Sequence, residues 1–275
     1  MQKLNKQQIK SLIPQYKCHI AQELEYAHRG EAPFGPVEIS VYADNAAKPD
    51  TMLFINGFAG TALYGDASNN ERNQKIRELI LDCFDEDGKE VWLSLYSPGW
   101  EAAIDAMFEN DCTSWKAYRL IHRLNKAAFQ EHMNWREKIP EGYTLERFDT
   151  SSHDFIAKRD WRDFWHPGSG RFGWFLLKDG QVVSECTAVW VEKYGVETGC
   201  VEIGIETKEP YRKKGYAVLT ASAFIDDCLS RNLVPVWCCW DFREGSKELA
   251  GKLGFEIVEE RRAVFLKKNL PSCKI

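Results

Sequence analysis

The chain lacks an excess of positive charge: 36 Lys and Arg stand against 41 Asp and Glu, for a formal net charge of −5. That balance argues against a general binder of nucleic acid or of other polyanions. It also lacks any apolar run of about 18 residues, so no membrane-spanning helix and no membrane partner are expected. The opening residues, MQKLNKQQIKSLIPQYKCH, have no apolar core of the kind a signal peptide needs. The nine cysteines contain no C-x-x-C pair and no zinc-ligand spacing, which predicts no metal site. They read as reduced thiols of a cytoplasmic protein. Gly57-x-x-Gly60 is followed by no G-K-[ST] and belongs to no G-x-G-x-x-G, so it reads as a turn rather than a phosphate loop. No Ser-His-Asp order rises above chance, and no low-complexity tract or internal repeat is visible.

What is present is a large apolar supply. Hydrophobic residues make up 44% of 275, with ten Trp, enough for a sizeable core. The length suggests two domains. Residues 2–28 read as two helices broken at Pro14, and 38–42 and 52–55 as strands. Residues 69–86 carry Ile76, Leu79, Ile80 and Phe84 at helical spacing. A strand follows at 91–96, then helices over 100–109 and 114–131. Pro140 and Gly142 interrupt the pattern and mark a boundary, giving domains 1–139 and 140–275. The second part reads as a strand at 143–148, a helix at 152–166, and strands at 173–177 and 181–191 joined by Asp179-Gly180, a hairpin signal. A strand at 200–207, a helix at 216–231, a strand at 233–240, a helix at 246–253 closed by Gly254, and a last strand at 255–266 complete it.

The segment VEIGIETKEPYRKKGYA, Val201 to Ala217, joins a strand to a helix through a basic, glycine-containing turn. That order aims backbone N–H groups and a helix N-terminus at one anion. Gly215 permits close backbone approach, and Arg212, Lys213 and Lys214 add positive charge. The spacing Arg212-x-x-Gly215-x-Ala217 resembles the R/Q-x-x-G-x-G/A signature of the GNAT superfamily, the acyl-CoA-dependent N-acetyltransferases. The element order over 143–266 is similar to that of the same family.

The resemblance implies an α/β fold of the GNAT acyl-CoA N-acyltransferase type: a mixed, mainly antiparallel sheet with helices on both faces, preceded here by a smaller mixed α/β domain. It implies acetyl-CoA as cosubstrate, with the pyrophosphate on Arg212, Lys213, Lys214, Gly215, Tyr216 and Ala217. The pantetheine arm would lie along Ile203, Ile205 and Thr207, facing a second wall at Trp237 to Trp240. Cys239 and Ser246 fall on that coenzyme side. The acceptor is expected to be a primary amine on a small molecule rather than on a protein, attacked directly in a ternary complex. Residues 1–139 are compatible with a degenerate copy of the fold, as in tandem members of the family, though no motif marks one. A homodimer stays open.

Alternation places Glu202, Gly204 and Glu206 on the strand face opposite Val201, Ile203, Ile205 and Thr207. An acidic face beside a thioester suits a cationic amine that must lose a proton before attack. Glu202 and Glu206 lie about 13 Å apart along a strand, so they do not serve the same nitrogen together. The family habit of holding the base early in this strand favours Glu202. A solvated face or an ion pair is the plain alternative. Two departures stand out: Arg243 occupies the family's usual Asn position, and Ala250 the position of its usual Tyr acid. They favour a second reading, a non-catalytic acyl-CoA-binding sensor or partner module. The Trp161, Trp165, Trp174 and Trp190 group and His166 read as packing and loop residues rather than a substrate pocket.

Overall fold

A computed structural model describes residues 1–32, 35–36, 38–56, 60–84, 90–149, 172–194 and 197–269. The chain divides into two compact units. Unit 1 comprises Met1–Ala32, Pro36–Arg119 and Glu260–Ile275; unit 2 comprises Pro33–Gly35 and Leu120–Glu259. The second therefore starts upstream of the Pro140–Gly142 break.

Unit 1 opens with two helices. Helix α1 (Lys6–Leu12) starts in a capping box, with the Asn5 side chain accepting from the Gln8 N–H and the Gln8 side chain accepting from the Asn5 N–H. Pro14 sits in a 3-10 turn, Ile13–Gln15, before α2 (Cys18–Arg29). Strands β1 (Ile39–Ala43), β2 (Thr51–Asn56) and β3 (Gly60–Gly65) follow and pair antiparallel in sequence order. Helix α3 (Asn70–Leu81) then leads to β4 (Val91–Leu95), which lies parallel to β3, with Thr61 opposite Leu93 and Leu63 opposite Leu95. Helix α4 (Trp100–Phe108) comes next. Leu53, Leu63, Ile76, Ile80, Trp100 and Phe108 fill the core between the strands and these two helices.

The helix expected over 114–131 is instead a strand, β5 (Cys112–Leu124), followed by one helical turn at Lys126–Phe129. Trp115, Tyr118 and Ile121 recur every three residues and mimic a helical face. Thr, Trp, Tyr and Ile favour a pleated surface, and partners distant in sequence decide between the two states. Trp115 stacks on Phe265 at 5.0 Å, and Thr113 Oγ1 donates to Asn269 Oδ1 at 3.0 Å. Asn125 ends the strand by accepting the N–H groups of Ala127 and Ala128.

In unit 2, β6 (Tyr143–Asp149), β7 (Phe172–Lys178), β8 (Gln181–Tyr194) and β9 (Glu197–Thr207) form an antiparallel run. The β7–β8 turn has Asp179 at φ 50° and Gly180 at φ 72°, as an Asp-Gly hairpin requires. Helix α5 (Tyr216–Ser230) leads to β10 (Val234–Trp240), which is parallel to β9. Helix α6 (Glu244–Lys252) and β11 (Phe255–Lys268) close the order. Gly254, between them, has φ 82°, and a Cβ there would come within 2.9 Å of the Ala128 Cβ, so the position requires glycine. The core holds Phe172, Val201, Ile203, Phe224, Trp237 and Phe255. The helix expected at 152–166, with Trp161, Trp165 and His166, lies outside the described residues.

Both units share one order and one strand sense. In each, three antiparallel strands are followed by a helix, a strand parallel to the third, and another helix. β1-β2-β3-α3-β4-α4 in unit 1 corresponds to β7-β8-β9-α5-β10-α6 in unit 2. The repeat is one of topology without a visible sequence repeat, because a layered core needs only the apolar pattern and not the identities.

Candidate functional site

Two parallel strands offer backbone groups at their carboxyl ends, where open α/β sheets place ligands. The β9–β10 ladder covers Cys200 with Val234, Val201 with Pro235 and Glu202 with Val236. Beyond it, β9 continues through Thr207 and β10 through Trp240. Ile203 is buried and Ile205 half-buried on the core side of β9, while Glu202 is half-buried and Glu206 exposed on the other. The expected face assignment is therefore the one observed. Glu206 lies opposite Glu185 in the β8 register, and Glu202 lies opposite Trp190. Gly204 sits between the two acids. A Cβ there would meet the Val189 Cγ2 at 2.7 Å, so glycine keeps this stretch narrow.

The turn after β9 has a backbone that can hold an anion. Lys213 has φ 59° and Gly215 has φ 82°, both left-handed, which gathers successive N–H groups into a concave nest. Gly215 is the N-cap of α5, and no side chain caps that end. The first N–H groups of the helix are thus left for a ligand or for water. A Cβ built at Gly215 would meet nothing within 4 Å. Arg212, Lys213, Lys214 and Gly215 are exposed, and Tyr216 and Ala217 half-buried. Arg212 Nε donates to the Thr207 carbonyl at 3.0 Å, tying the turn to the end of β9. The Tyr216 phenol donates to Tyr143 at 3.0 Å. That bond raises the Tyr216 pKa, with burial adding to it, which makes Tyr216 a poorer proton donor. Lys178 Nζ lies 5.6 Å from the Tyr143 ring centre, and Lys214 Nζ 5.5 Å from that of Tyr211.

A hydroxyl cluster underlies the cradle. Ser184 Oγ is 2.8 Å from Thr207 Oγ1 and 3.2 Å from Thr220 Oγ1. Thr220 in turn donates to the Tyr216 carbonyl at 3.0 Å. These bonds connect β8, β9 and the first turn of α5. Ser184, Thr220 and Tyr143 did not stand out in the sequence. The signal available was a buried-phase hydroxyl: Ser184 follows Val182-Val183, and Thr220 lies in an apolar helix.

Along β10, Cys239 packs in the main core and Cys238 belongs to a separate cluster with Cys200 and Val236, as adjacent strand residues must. Ser246 accepts a hydrogen bond from Trp237 Nε1 at 3.0 Å. At the end of β10, Trp240 and Phe242 stack with their ring centres 6.2 Å apart, and the Arg243 guanidinium lies 5.6 Å from the Phe242 ring centre. Ala250 is fully buried and offers no proton.

His122, on β5, braces the same wall. It is 3% exposed, and its Nδ1 lies 3.0 Å from the Trp237 carbonyl, so Nδ1 carries the hydrogen. Burial lowers its pKa, only partly offset by hydrogen bonds to the backbone of Trp237 and Leu120. The folded chain then binds this proton less readily than the unfolded chain does. Stability falls as pH drops below the ordinary histidine value, by at most about 1.4 kcal/mol per pH unit for one proton. The His122→Gln variant should show a shallower loss of melting temperature between pH 7 and pH 5 than the parent; parallel curves would show that His122 is not the titrating group.

Residues 39–264 match the family model for GNAT acetyltransferases. An uncharacterized N-acetyltransferase of Bacillus subtilis (strain 168), YdfB, is 26% identical over 234 residues, covering 80% of this chain and 83% of its own length. Among solved structures, a GCN5-related N-acetyltransferase-like protein from Streptococcus suis 89/1591 aligns with a TM-score of 0.64 at 19% identity, over 96% of this chain and 99% of the other. A tandem GNAT protein from the clavulanic acid biosynthesis pathway aligns with a TM-score of 0.60 at 12% identity, over 98% of both chains. At such identities the structural likeness speaks for the fold, whereas the family match spans most of the sequence. The chain belongs to the GNAT acetyltransferase family.

Proposed function

We propose that this protein transfers an acetyl group from acetyl-CoA to a primary amine by direct attack in a ternary complex. The observation that carries the reading is the pairing of an uncapped helix N-terminus at Gly215 with a parallel β9–β10 ladder that stops at Glu202 and Val236. The cradle of Arg212, Lys213, Lys214, Gly215, Tyr216 and Ala217 takes the pyrophosphate through backbone N–H groups and the positive end of the helix. The pantetheine arm adds to β9 beside Ile203, Ile205 and Thr207. The Thr207 hydroxyl is engaged by Ser184 and its carbonyl by Arg212, so Thr207 holds the cradle in place at the end of the arm's track. The Ser246 hydroxyl and the core-packed Cys239 shape the opposite wall rather than touch the reacting atoms.

Glu202, half-buried at the end of the ladder, removes the amine proton directly or through water. Glu206, exposed, gives the entrance negative charge that attracts a cationic acceptor. The departing thiol has an ordinary pKa near 8.5, so it leaves as thiolate with only N–H support and no assigned acid. Residues 140–275 supply the acetyltransferase domain in this reading, and residues 1–139 a degenerate partner. The protein works in the cytoplasm, without metal, nucleic acid or membrane.

Buried Ala250 favours a second reading, a binding module without turnover. Free thiol release from acetyl-CoA across a panel of amines separates the two. Release above the uncatalysed rate with at least one small amine is expected. Tight binding with no release across the panel would replace the enzyme by the sensor.

A further inference from the structure

One proton order satisfies all the contacts among the hydroxyls of Ser184, Thr207 and Thr220. Thr220 Oγ1 lies 3.0 Å from the Tyr216 carbonyl and 3.3 Å from that of Ala217. A carbonyl only accepts, so the single hydroxyl hydrogen of Thr220 points there. The 3.2 Å contact between Ser184 and Thr220 then needs the Ser184 hydrogen. The 2.8 Å contact between Thr207 and Ser184 in turn needs the Thr207 hydrogen. The result is a directed chain: Thr207 donates to Ser184, Ser184 to Thr220, and Thr220 to the Tyr216 carbonyl. Ser184 and Thr220 are 1% and 0% exposed, so solvent does not compete for these protons.

The chain ends at the cradle. Tyr216 and Ala217 are the first residues of α5. In an α-helix the Tyr216 carbonyl also accepts the Thr220 N–H, four residues on. Two donors therefore polarise one peptide group, Tyr216–Ala217. Its other end is the Ala217 N–H, which lies in the first turn and has no acceptor within the helix. Each donor on the carbonyl strengthens that N–H by about 10–30%. Position is fixed along with polarity. Ser184 ties β8 to α5, and Arg212 Nε holds the Thr207 carbonyl from the turn at 3.0 Å.

Unit 1 has the same strand register and a different use of its hydroxyl. Thr51 starts β2 opposite Gly65 at the end of β3, as Ser184 stands opposite Thr207. The Thr51 hydroxyl donates to the Asp66 carbonyl at 2.9 Å, and the glycine across from it has no hydroxyl to feed it. The start of α3 is closed by the Asn69 side chain, which accepts the Arg72 N–H. The relay to a helix start accompanies the uncapped end of α5 and not the capped end of α3.

We propose that Ser184 and Thr220 are positioning residues for the coenzyme diphosphate: their hydroxyl chain aims and strengthens the Ala217 N–H toward the anion. This rests on the reading of the turn as the coenzyme cradle. It adds two buried side chains that touch no ligand and act through the backbone.

The test is calorimetry on the full chain with desulfo-coenzyme A, with a melting curve for each variant. Thr220→Val removes the hydroxyl and keeps the shape; Thr220→Ser keeps the hydroxyl and removes the methyl. Thr220→Val leaves no donor stranded, because the Glu206 carbonyl lies 3.4 Å from Ser184 Oγ. It should weaken binding about tenfold, the worth of one net hydrogen bond, and Thr220→Ser by less than about twofold. A packing role would reverse that order. Ser184→Ala interrupts the chain one step earlier and should cost about threefold, and the double variant about tenfold rather than thirtyfold, since links of one chain do not add. Equal losses for Thr220→Ser and Thr220→Val, an additive double variant, or a lower melting temperature for Thr220→Val at parental affinity would overturn the inference. Should Gly215→Glu abolish binding while Thr220→Val binds like the parent, the relay falls and the cradle stands. Should Gly215→Glu bind like the parent too, or the parent bind no desulfo-coenzyme A, both fall.

Discussion

Replacing Gly215 by Glu should abolish measurable coenzyme binding while the protein stays folded. The space around a Cβ at this position is empty, so no clash arises. The φ of 82° imposes about 1–2 kcal/mol of left-handed strain on any residue with a Cβ, a modest cost against the stability of a two-unit chain. Binding suffers far more. The carboxylate stands at the mouth of the nest, repels the diphosphate and competes with it for the uncapped N–H groups of α5. A loss of about 100-fold or more in affinity is expected, equivalent to roughly 2.8 kcal/mol. Gly215→Ala separates the two effects, because it keeps the strain and omits the charge; its affinity should fall by less than tenfold. Calorimetry with desulfo-coenzyme A gives the affinities, and circular dichroism with a melting curve confirms folding. An affinity for Gly215→Glu within threefold of the parent would remove the cradle from the coenzyme path and take the acyl-transfer reading with it.

How much of this was readable from the chain depends on how local the cause is. The backbone of the turn before α5 was legible. Its left-handed turn, missing cap and basic flanks are consequences of consecutive residues, Arg212 to Ala217, and the strand–turn–helix order around them was visible in the apolar pattern. The Asp179-Gly180 hairpin was legible for the same reason. The strand at Cys112–Leu124 was not, because its state is set by partners such as Phe265 and Asn269, more than 140 residues away in sequence, and its aromatic spacing happens to fit a helix. The hydroxyl cluster of Ser184, Thr207 and Thr220 escaped for a related reason. It joins three elements that become neighbours only after folding. The shared topology of the two units was hidden too. Topology survives as an order of apolar segments, while the turn chemistry that would betray it has changed: unit 2 has Gly215 before its helix, and unit 1 has Asn69, a side-chain cap that closes the same end.

Glu202→Gln should lower turnover by about 100-fold at neutral pH and leave coenzyme affinity within twofold of the parent. The exchange preserves size and polarity, so β9 and its ladder to Val236 should stand. What is lost is the ability to accept a proton, and positioned general bases contribute roughly 10²- to 10⁴-fold. Glu206→Gln serves as the internal comparison: its exposed side chain lies about 13 Å further along the strand, beyond reach of the same nitrogen, and its effect should appear in the KM for a cationic amine rather than in kcat. The pH dependence supplies the decisive reading. A primary amine is largely protonated at pH 7 and deprotonates unaided near its own pKa, about 10 for an alkylamine like the lysine side chain. If Glu202 removes that proton, the deficit of Glu202→Gln must shrink as pH rises toward 10, since the solvent then does the same work. A deficit that stays constant across that range would mean Glu202 acts by shaping the β9 edge. An undiminished rate at pH 7 would mean that the base lies elsewhere, or that the amine enters the site already neutral.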